Sequence, residues 1–361
     1  MRLTHFETLK PICPRCKCSG NRISDLQLAH VYKELNAIIL EGIIACSNQQ
    51  CSQHYPIIQG VPILMPNLNE YVKNNLFSIS TNHNLNPNIE SILGDASGAR
   101  SEYNNIRHFL STYCWDHYGD LAPENEFSPQ PKPHQSEIAN LLNTGLALFR
   151  DTQESPQLDI GCAVGRSTFS LADKTPGLTL GIDINFSNLL IGQQILLNNQ
   201  IQFPLKQYGV AFQSHNFEVS FEHQHFVDFW ACNALAMPFR DESFSCVSAL
   251  NVLDVVPHPH NFLFSANNIL AKNGSFLFSS PYDWSPPVNL ENWIGGKGMN
   301  GLCETESDEL LRQYFSTDSR SGTFPKLKMI DEVKHHPWKV RIHKRRTVNY
   351  DVHIIAGKKE I

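Results

Sequence analysis

Residues 156–185 read PQLDIGCAVGRSTFSLADKTPGLTLGIDIN, and the order of residue types in this stretch sets the expected fold. Leu158–Ile160 is an apolar, strand-like run that gives way to Gly161-Cys162-Ala163-Val164-Gly165 and then to a helix-like stretch, Arg166–Ala172. A second apolar run, Leu178–Ile182, ends on Asp183. Strand, glycine turn, helix, strand and terminal acid form the first half of a nucleotide-type α/β site. Gly161 and Gly165 read as positions where a ligand lies against bare backbone that no Cβ could share. Asp183, at the carboxyl end of the second strand, is placed to accept hydrogen bonds from a ribose diol. Gly161 and Gly165 enclose three residues and no third glycine follows, which excludes the G-x-G-x-x-G dinucleotide fingerprint.

The arrangement resembles motif I of class I S-adenosylmethionine (SAM) methyltransferases, D-x-G-x-G-x-G, with Asp159 in register and Ala163 in place of the middle glycine. The resemblance implies SAM as cofactor, held through Asp159, Gly161, Gly165 and Asp183. It also implies an α/β fold with a doubly wound, seven-stranded Rossmann-like sheet. Downstream, FVDFWACNALAMPFRDESFSCVSALNVLDVVPHP resembles the third and fourth strands of the same fold. There the family reads D-A-x-x-L-P-F, the acid holding the adenine amino group. Asn233 stands at the acid position, followed by Ala234, and an amide still offers a carbonyl acceptor. Asn251 and Asp254 fall at the carboxyl end of the fourth strand, where substrates sit in open α/β sheets. Asp254 is equally readable as a helix cap.

The chain has 361 residues, 41% of them hydrophobic, enough for one large domain and a smaller one. No apolar run of about eighteen residues predicts a membrane span. The opening MRLTHFETLK lacks the apolar stretch of a secretory signal. A formal charge of −6 argues against a broad nucleic-acid footprint. Ten cysteines without such a signal favour a reducing compartment and metal binding over disulfides, so a cytoplasmic enzyme is expected.

Three regions are expected: a cysteine-bearing module at 1–66, a linker and helical lid region at 67–150, and the catalytic domain at 151–361. Residues 67–100 are rich in Asn and Ser and predict a linker or a weakly packed helical connection. SEIANLLNTGLALF predicts a helix entering the first strand, and Gln200–His225 reads as an insertion. The tail runs HHPWKVRIHKRR and TVNYDVHIIAGKK suit a closing antiparallel hairpin.

In the first module Cys13 and Cys16 form a C-x-x-C knuckle, while Cys46 and Cys51 form a wider pair. Four thiolates from two turns suit tetrahedral zinc, and a module this small needs a metal to hold its shape. Cys18 and His54 are spare ligands. The sequel YPIIQGVPIL resembles the ending of a zinc-ribbon family that includes the small activator subunit of eukaryotic tRNA, rRNA and protein methyltransferases. That likeness covers the first 65 residues or so and implies a structural or docking role toward a protein partner.

A narrower likeness joins GCAVGRSTF, ALNVLDVVPHP and FSSPYDW with a downstream WIGG. Together they resemble the C-terminal methyltransferase domain of ovothiol synthases, which implies N-methylation of a thiohistidine-like or other heteroaromatic or amine metabolite. Tyr282 and Trp284 would then wall the acceptor pocket, or simply pack beneath a loop. Because the sulfonium is already activated, alignment matters more than acid–base power, and Asp254 or His258 is the candidate base. Two other readings compete. One is an RNA methyltransferase targeted by the ribbon, with Lys339, Arg341, Lys344, Arg345 and Arg346 as its basic cluster, though no N-P-P-Y or D-P-P-Y string is present. The other is a non-catalytic SAM-fold scaffold that recruits a partner through the ribbon.

Overall fold

The computed structural model describes residues 1–20, 23–80, 85–123, 133–151, 153–284, 288–296, 305–315 and 327–360. The chain begins with two short helices, α1 (Leu3–Leu9) and α2 (Pro14–Cys18). Four strands follow: β1 (Leu26–Leu35), β2 (Ile38–Cys46), β3 (His54–Ile58) and β4 (Val61–Leu64). Next come α3 (Leu68–Ser80), α4 (Pro87–Ser97), α5 (Glu102–Tyr118) and α6 (Glu137–Leu146). Ser101 and Ser136 cap α5 and α6 by accepting the backbone N–H three residues on.

The decisive stretch folds as β5 (Gln157–Ile160), α7 (Arg166–Lys174) and β6 (Thr179–Asp183), followed by α8 (Phe186–Asn198). All four residues of β5 are buried, as a strand covered on both faces requires. The insertion is a separate hairpin, β7 (Gln200–Tyr208) with β8 (Ala211–Glu218), and it packs beneath α5, where Lys206 N donates to Ser111 Oγ at 2.7 Å. The chain then adds β9 (Val227–Cys232), β10 (Phe244–Leu250), α9 (Pro259–Ile269), β11 (Leu270–Ser280), α10 (Ser307–Tyr314), β12 (Leu327–His343) and β13 (Arg346–Lys359).

The main sheet runs β1-β2-β3-β4-β9-β6-β5-β10-β11-β13-β12. Neighbours from β4 to β11 are parallel, and the strands at both ends are antiparallel. The result is a Rossmann-like α/β fold with a mixed central sheet. The parallel strands of the glycine-turn unit and the closing hairpin lie between β9 and β12, and the sheet continues past β9 to β1. Ile63 and Leu64 of β4 pair in parallel with Ala231 and Cys232 of β9, so the cysteine-bearing region extends the same sheet. The Lys17 ammonium donates to the carbonyls of Met237 and Phe239, and Ile12 N donates to the Pro238 carbonyl. Cys13, Tyr55, Leu158, Trp230 and Phe244 consequently share one core.

The Asn-rich stretch contributes α3 and α4. Leu76 of α3 is exposed, but Tyr71 is buried and its hydroxyl donates to the Ile184 carbonyl at 2.7 Å. Among the described residues no helix is long and apolar enough to cross a membrane.

Candidate functional site

The glycine turn after β5 faces the carboxyl ends of the parallel strands, where strand order reverses and open α/β sheets take their ligands. Asp159 lies beneath it, 1% exposed. Its Oδ2 accepts from Ser167 Oγ at 2.6 Å and Thr168 Oγ1 at 2.8 Å, and its Oδ1 from Ser248 Oγ at 2.8 Å. The carboxylate thus joins β5, α7 and β10, and burial pushes its pKa up. Its geometry makes it a brace for the turn.

Gly161 and Gly165 adopt left-handed φ values of 69° and 95°. The protein's own side chains also crowd both positions. A Cβ on Gly161 would lie 2.5 Å from Val252 Cγ2, and one on Gly165 2.6 Å from Phe229 Cζ. Ala163 also takes a positive φ, 47°, where the motif usually places glycine. Its N–H donates to Asp183 Oδ2 at 2.9 Å, while Asn185 N donates to Oδ1 at 2.7 Å. Asp183 is therefore fixed at the rim by the backbone N–H groups of Ala163 and Asn185, with Ile184 N–H beside them. Burial pushes its pKa up to about 6 against the pull of these backbone donors. An ionised carboxylate so held can accept from a vicinal diol.

The aromatic end of α5 clamps the turn from the other side. Tyr118 Oη donates to the Val164 carbonyl at 2.8 Å, and the Arg166 guanidinium grips Asp120 through two nitrogens, at 3.2 and 3.1 Å. His117, buried beside Arg166, has its pKa driven down to about 3, chiefly by desolvation. The backbone N–H of Arg166 meets its Nδ1 at 3.4 Å. Among sequence signals, only the density of aromatics in SEYNNIRHFLSTYCWDHYGDL pointed to this clamp.

Asn233 and Ala234 follow β9, whose Ala231 pairs with Asp183. The Asn233 side-chain oxygen accepts from Leu235 N at 2.9 Å, closing a turn that leaves its amide N–H groups available. Beyond β10, Asn251 takes a φ of 56° and is tied to Ser279 on β11, whose hydroxyl donates to Asn251 Oδ1 at 2.8 Å. Asp254 is 3% exposed; its Oδ2 accepts from Asp283 N at 3.0 Å and the Ser280 hydroxyl lies beside it. Burial raises its pKa to about 6. His258, by contrast, is exposed at the start of α9, with its Nδ1 3.2 Å from Asn292 Nδ2.

Tyr282 and Trp284 flank the same rim, with ring centroids 6.4 Å apart. Trp284 stacks on Trp293 at 6.0 Å and 13°, and its buried indole N–H has no partner among the described residues. Tyr282 Oη lies 2.6 Å from His353 Nδ1 on β13. The structure therefore brings Asn251, Asp254 and Tyr282 onto one rim through their hydrogen-bond partners, and leaves His258 at the surface.

Cys13, Cys16, Cys46 and Cys51 converge in the N-terminal region, their sulfurs all within 4.8 Å of one another. Cys13 lies 3.9 Å from Cys51, and Cys16 lies 3.7 Å from Cys46. A tetrahedron of Zn–S bonds of about 2.3 Å has edges of about 3.8 Å. The donor set and its spacing therefore fit a four-coordinate zinc ion, and Cys18 and His54 lie outside the group. Tyr55 Oη, 3.2 Å from Cys13 Sγ, ties the cluster to the shared core.

With strand order, glycine turn and rim acids in place, the class is defined. The methyltransferase domain family model matches residues 134–317, half of the chain, and the chain belongs to that family. It contains a class I SAM-dependent methyltransferase domain. Its similarity to curated proteins includes the ubiquinone biosynthesis O-methyltransferases of Pasteurella multocida, at 24% identity over 166 residues, and of Glaesserella parasuis, at 25% over 166 residues. In each case the match takes in 46% of this chain and 58% of the relative, so the chain spans little more than half the length of these proteins. Among solved structures it is similar to magnesium protoporphyrin IX methyltransferase from Synechocystis PCC 6803 with bound SAM. That match has 14% identity and a TM-score of 0.39, and covers 78% of this chain and all of the other.

Proposed function

We propose that the protein transfers the SAM methyl group to a small heteroaromatic or amine metabolite, and that a thiohistidine is the first acceptor to test. The observation that carries this reading is the rim itself. Asp183 presents a carboxylate to the cofactor side, and the buried Asp254, with Asn251, Tyr282 and Trp284, presents a compact polar and aromatic surface to the acceptor side. In this reading Gly161, Ala163 and Gly165 shape the bed of the methionine moiety and Asp183 accepts from the ribose. Asn233 and Ala234 border the adenine. Asp254 accepts a hydrogen bond from the acceptor and orients its nucleophilic atom toward the methyl group, the alignment on which methyl transfer chiefly depends. The SPYDW and WIGG strings support a thiohistidine-like acceptor, and the curated relatives' names make an aromatic hydroxyl the second acceptor to try.

Cys13, Cys16, Cys46 and Cys51 would hold one structural zinc ion that stabilises the N-terminal extension of the sheet and supplies no chemistry to the transfer. Against an RNA acceptor stands the use of Arg341. It is buried, donates to the Lys206 carbonyl at 2.9 Å and lies over Trp115, which removes it from the basic tail surface. The test is methyl transfer from radiolabelled SAM to thiohistidine, to a catechol and to total RNA. Label in a small molecule supports the proposal. Salt-sensitive label in RNA alone would replace it.

A further inference from the structure

Behind Tyr282 runs a chain of polar groups that binding of cofactor and acceptor does not require. Tyr282 Oη lies 2.6 Å from His353 Nδ1, and His353 Nε2 lies 2.8 Å from Glu332 Oε2. The three residues come from the loop after β11, from β13 and from β12, so 71 positions separate Tyr282 from His353. His353 is 4% exposed, and Glu332 is held further by the Arg312 guanidinium, whose Nε lies 3.4 Å away. Arg312 also pairs with Asp308 one helical turn earlier on α10. Lys334 reaches the other Glu332 oxygen at 3.7 Å. Three polar side chains in series, each at hydrogen-bond distance, with the buried His353 between the half-buried Tyr282 and Glu332, go beyond what packing needs. A His–Glu pair in this position could be replaced by apolar residues at little cost to stability.

The directions of the bonds follow from the donors available. A carboxylate only accepts, so His353 carries its proton on Nε2 and donates it to Glu332. Its Nδ1 is then an acceptor and takes the Tyr282 hydroxyl proton. The phenol oxygen keeps a lone pair for a second donor. Burial holds the Tyr282 phenol well above its ordinary pKa and lowers that of His353, while Glu332 and Asp308 pull the imidazole back up and Arg312 pushes it down.

On the methyl-transfer reading of this rim, we infer that Tyr282, His353 and Glu332 form a proton relay that discharges an acceptor which loses a proton on methylation. As the acceptor atom X forms its bond to the methyl carbon and the carbon–sulfur bond breaks, the acceptor passes its proton, held on X itself or on the conjugated N–H of an imidazole ring, to Tyr282 Oη. The phenol proton passes to His353 Nδ1. The positive charge that leaves the sulfonium reappears on an imidazolium facing Glu332, and solvent later removes the proton. Tyr282 touches the acceptor; His353 and Glu332 are positioning residues that act through it. The relay restricts the acceptor class to N–H or O–H nucleophiles and excludes tertiary amines and thioethers, which have no proton to give.

The test uses the full chain with Tyr282→Phe and Glu332→Gln variants. With thiohistidine and a catechol as acceptor probes, Tyr282→Phe should lower kcat roughly 100-fold with the SAM KM unchanged. Glu332→Gln should lower kcat at neutral pH and shift the acidic limb of its pH profile, because the imidazolium loses its counter-charge. A Tyr282→Phe enzyme with wild-type kcat and pH profile would overturn the relay. A second readout needs no turnover. With S-adenosylhomocysteine bound, the ring nitrogens of His353, assigned from a His353→Gln spectrum, should show a protonated Nε2 and an unprotonated Nδ1. The Nδ1 signal should move in Tyr282→Phe. The opposite tautomer would overturn the relay. A wild-type enzyme that methylates neither probe would refute the proposed acceptor class instead, and the tautomer would then decide the relay alone.

Discussion

Replacing Gly161 with alanine tests what holds the cofactor turn in shape. At a φ of 69°, an alanine sits in the left-handed region, at a cost of about 1–2 kcal/mol. Its Cβ would also lie 2.5 Å from Val252 Cγ2, and overpacking of this kind costs about 1–3 kcal/mol. Val252 is β-branched and buried, so it cannot swing aside. A less flexible unfolded chain returns about 0.5–1 kcal/mol, leaving a net loss of about 1–4.5 kcal/mol. In a Val252→Ala background the clash vanishes and only the backbone cost remains, so Gly161→Ala should there cost about 1 kcal/mol. The difference is a coupling energy, read from urea midpoints of the four proteins at constant slope. Equal costs in the two backgrounds, within about 0.5 kcal/mol, would refute the claim that the protein's own packing dictates this glycine.

Three further outcomes follow from the site. Because the Asp183 carboxyl titrates at about 6, SAM affinity should be flat above neutrality. Below that pKa it should fall with pH and level off at roughly the affinity of the Asp183→Ala protein, as protonation removes the acceptor. Calorimetry should find this limb missing in Asp183→Asn, and pH-independent binding by the wild type would contradict it. Metal analysis should return one zinc per chain, and Cys13→Ser or a chelator should expose β1 and β2 to protease; a zinc-free module that stays resistant would refute the metal assignment. Trp284→Ala should raise the acceptor KM while SAM affinity barely changes, whereas joint loss of SAM binding and stability would reduce Trp284 to packing.

The βαβ unit was legible because its pattern is local: Leu158 and Ile160 flank Asp159 in β5, the glycines mark the turn, and Asp183 ends β6. The closing hairpin was legible because its two tail runs are each β-rich, whereas Gln200–His225 read only as an insertion, and its hairpin, β7 with β8, came from the structure. Long-range pairing left no such trace. VPIL in β4 reads like the end of a small ribbon, and nothing within four residues says that its free edge joins β9 and merges the two regions. Asp159 matches a cofactor motif letter for letter, but its three hydroxyl donors were not legible, and one of them, Ser248, comes from β10. Ala163 looked like a defect in the motif. Its backbone still takes the positive φ of the glycine it replaces and still delivers its N–H to Asp183. His353 was invisible as a functional residue because its partners, Tyr282 and Glu332, meet it only when β12, β13 and the end of β11 are aligned.

The central claim is that the rim of β5 and β6 is a SAM site governed by Asp183. Calorimetric titration of the purified protein with S-adenosylhomocysteine at neutral pH tests it most directly. The account predicts one saturable site per chain, with affinity reduced by about tenfold or more in Asp183→Ala, the loss expected when a hydrogen bond to a charged group is removed. Absence of binding, or undiminished binding by a folded Asp183→Ala protein, would contradict it.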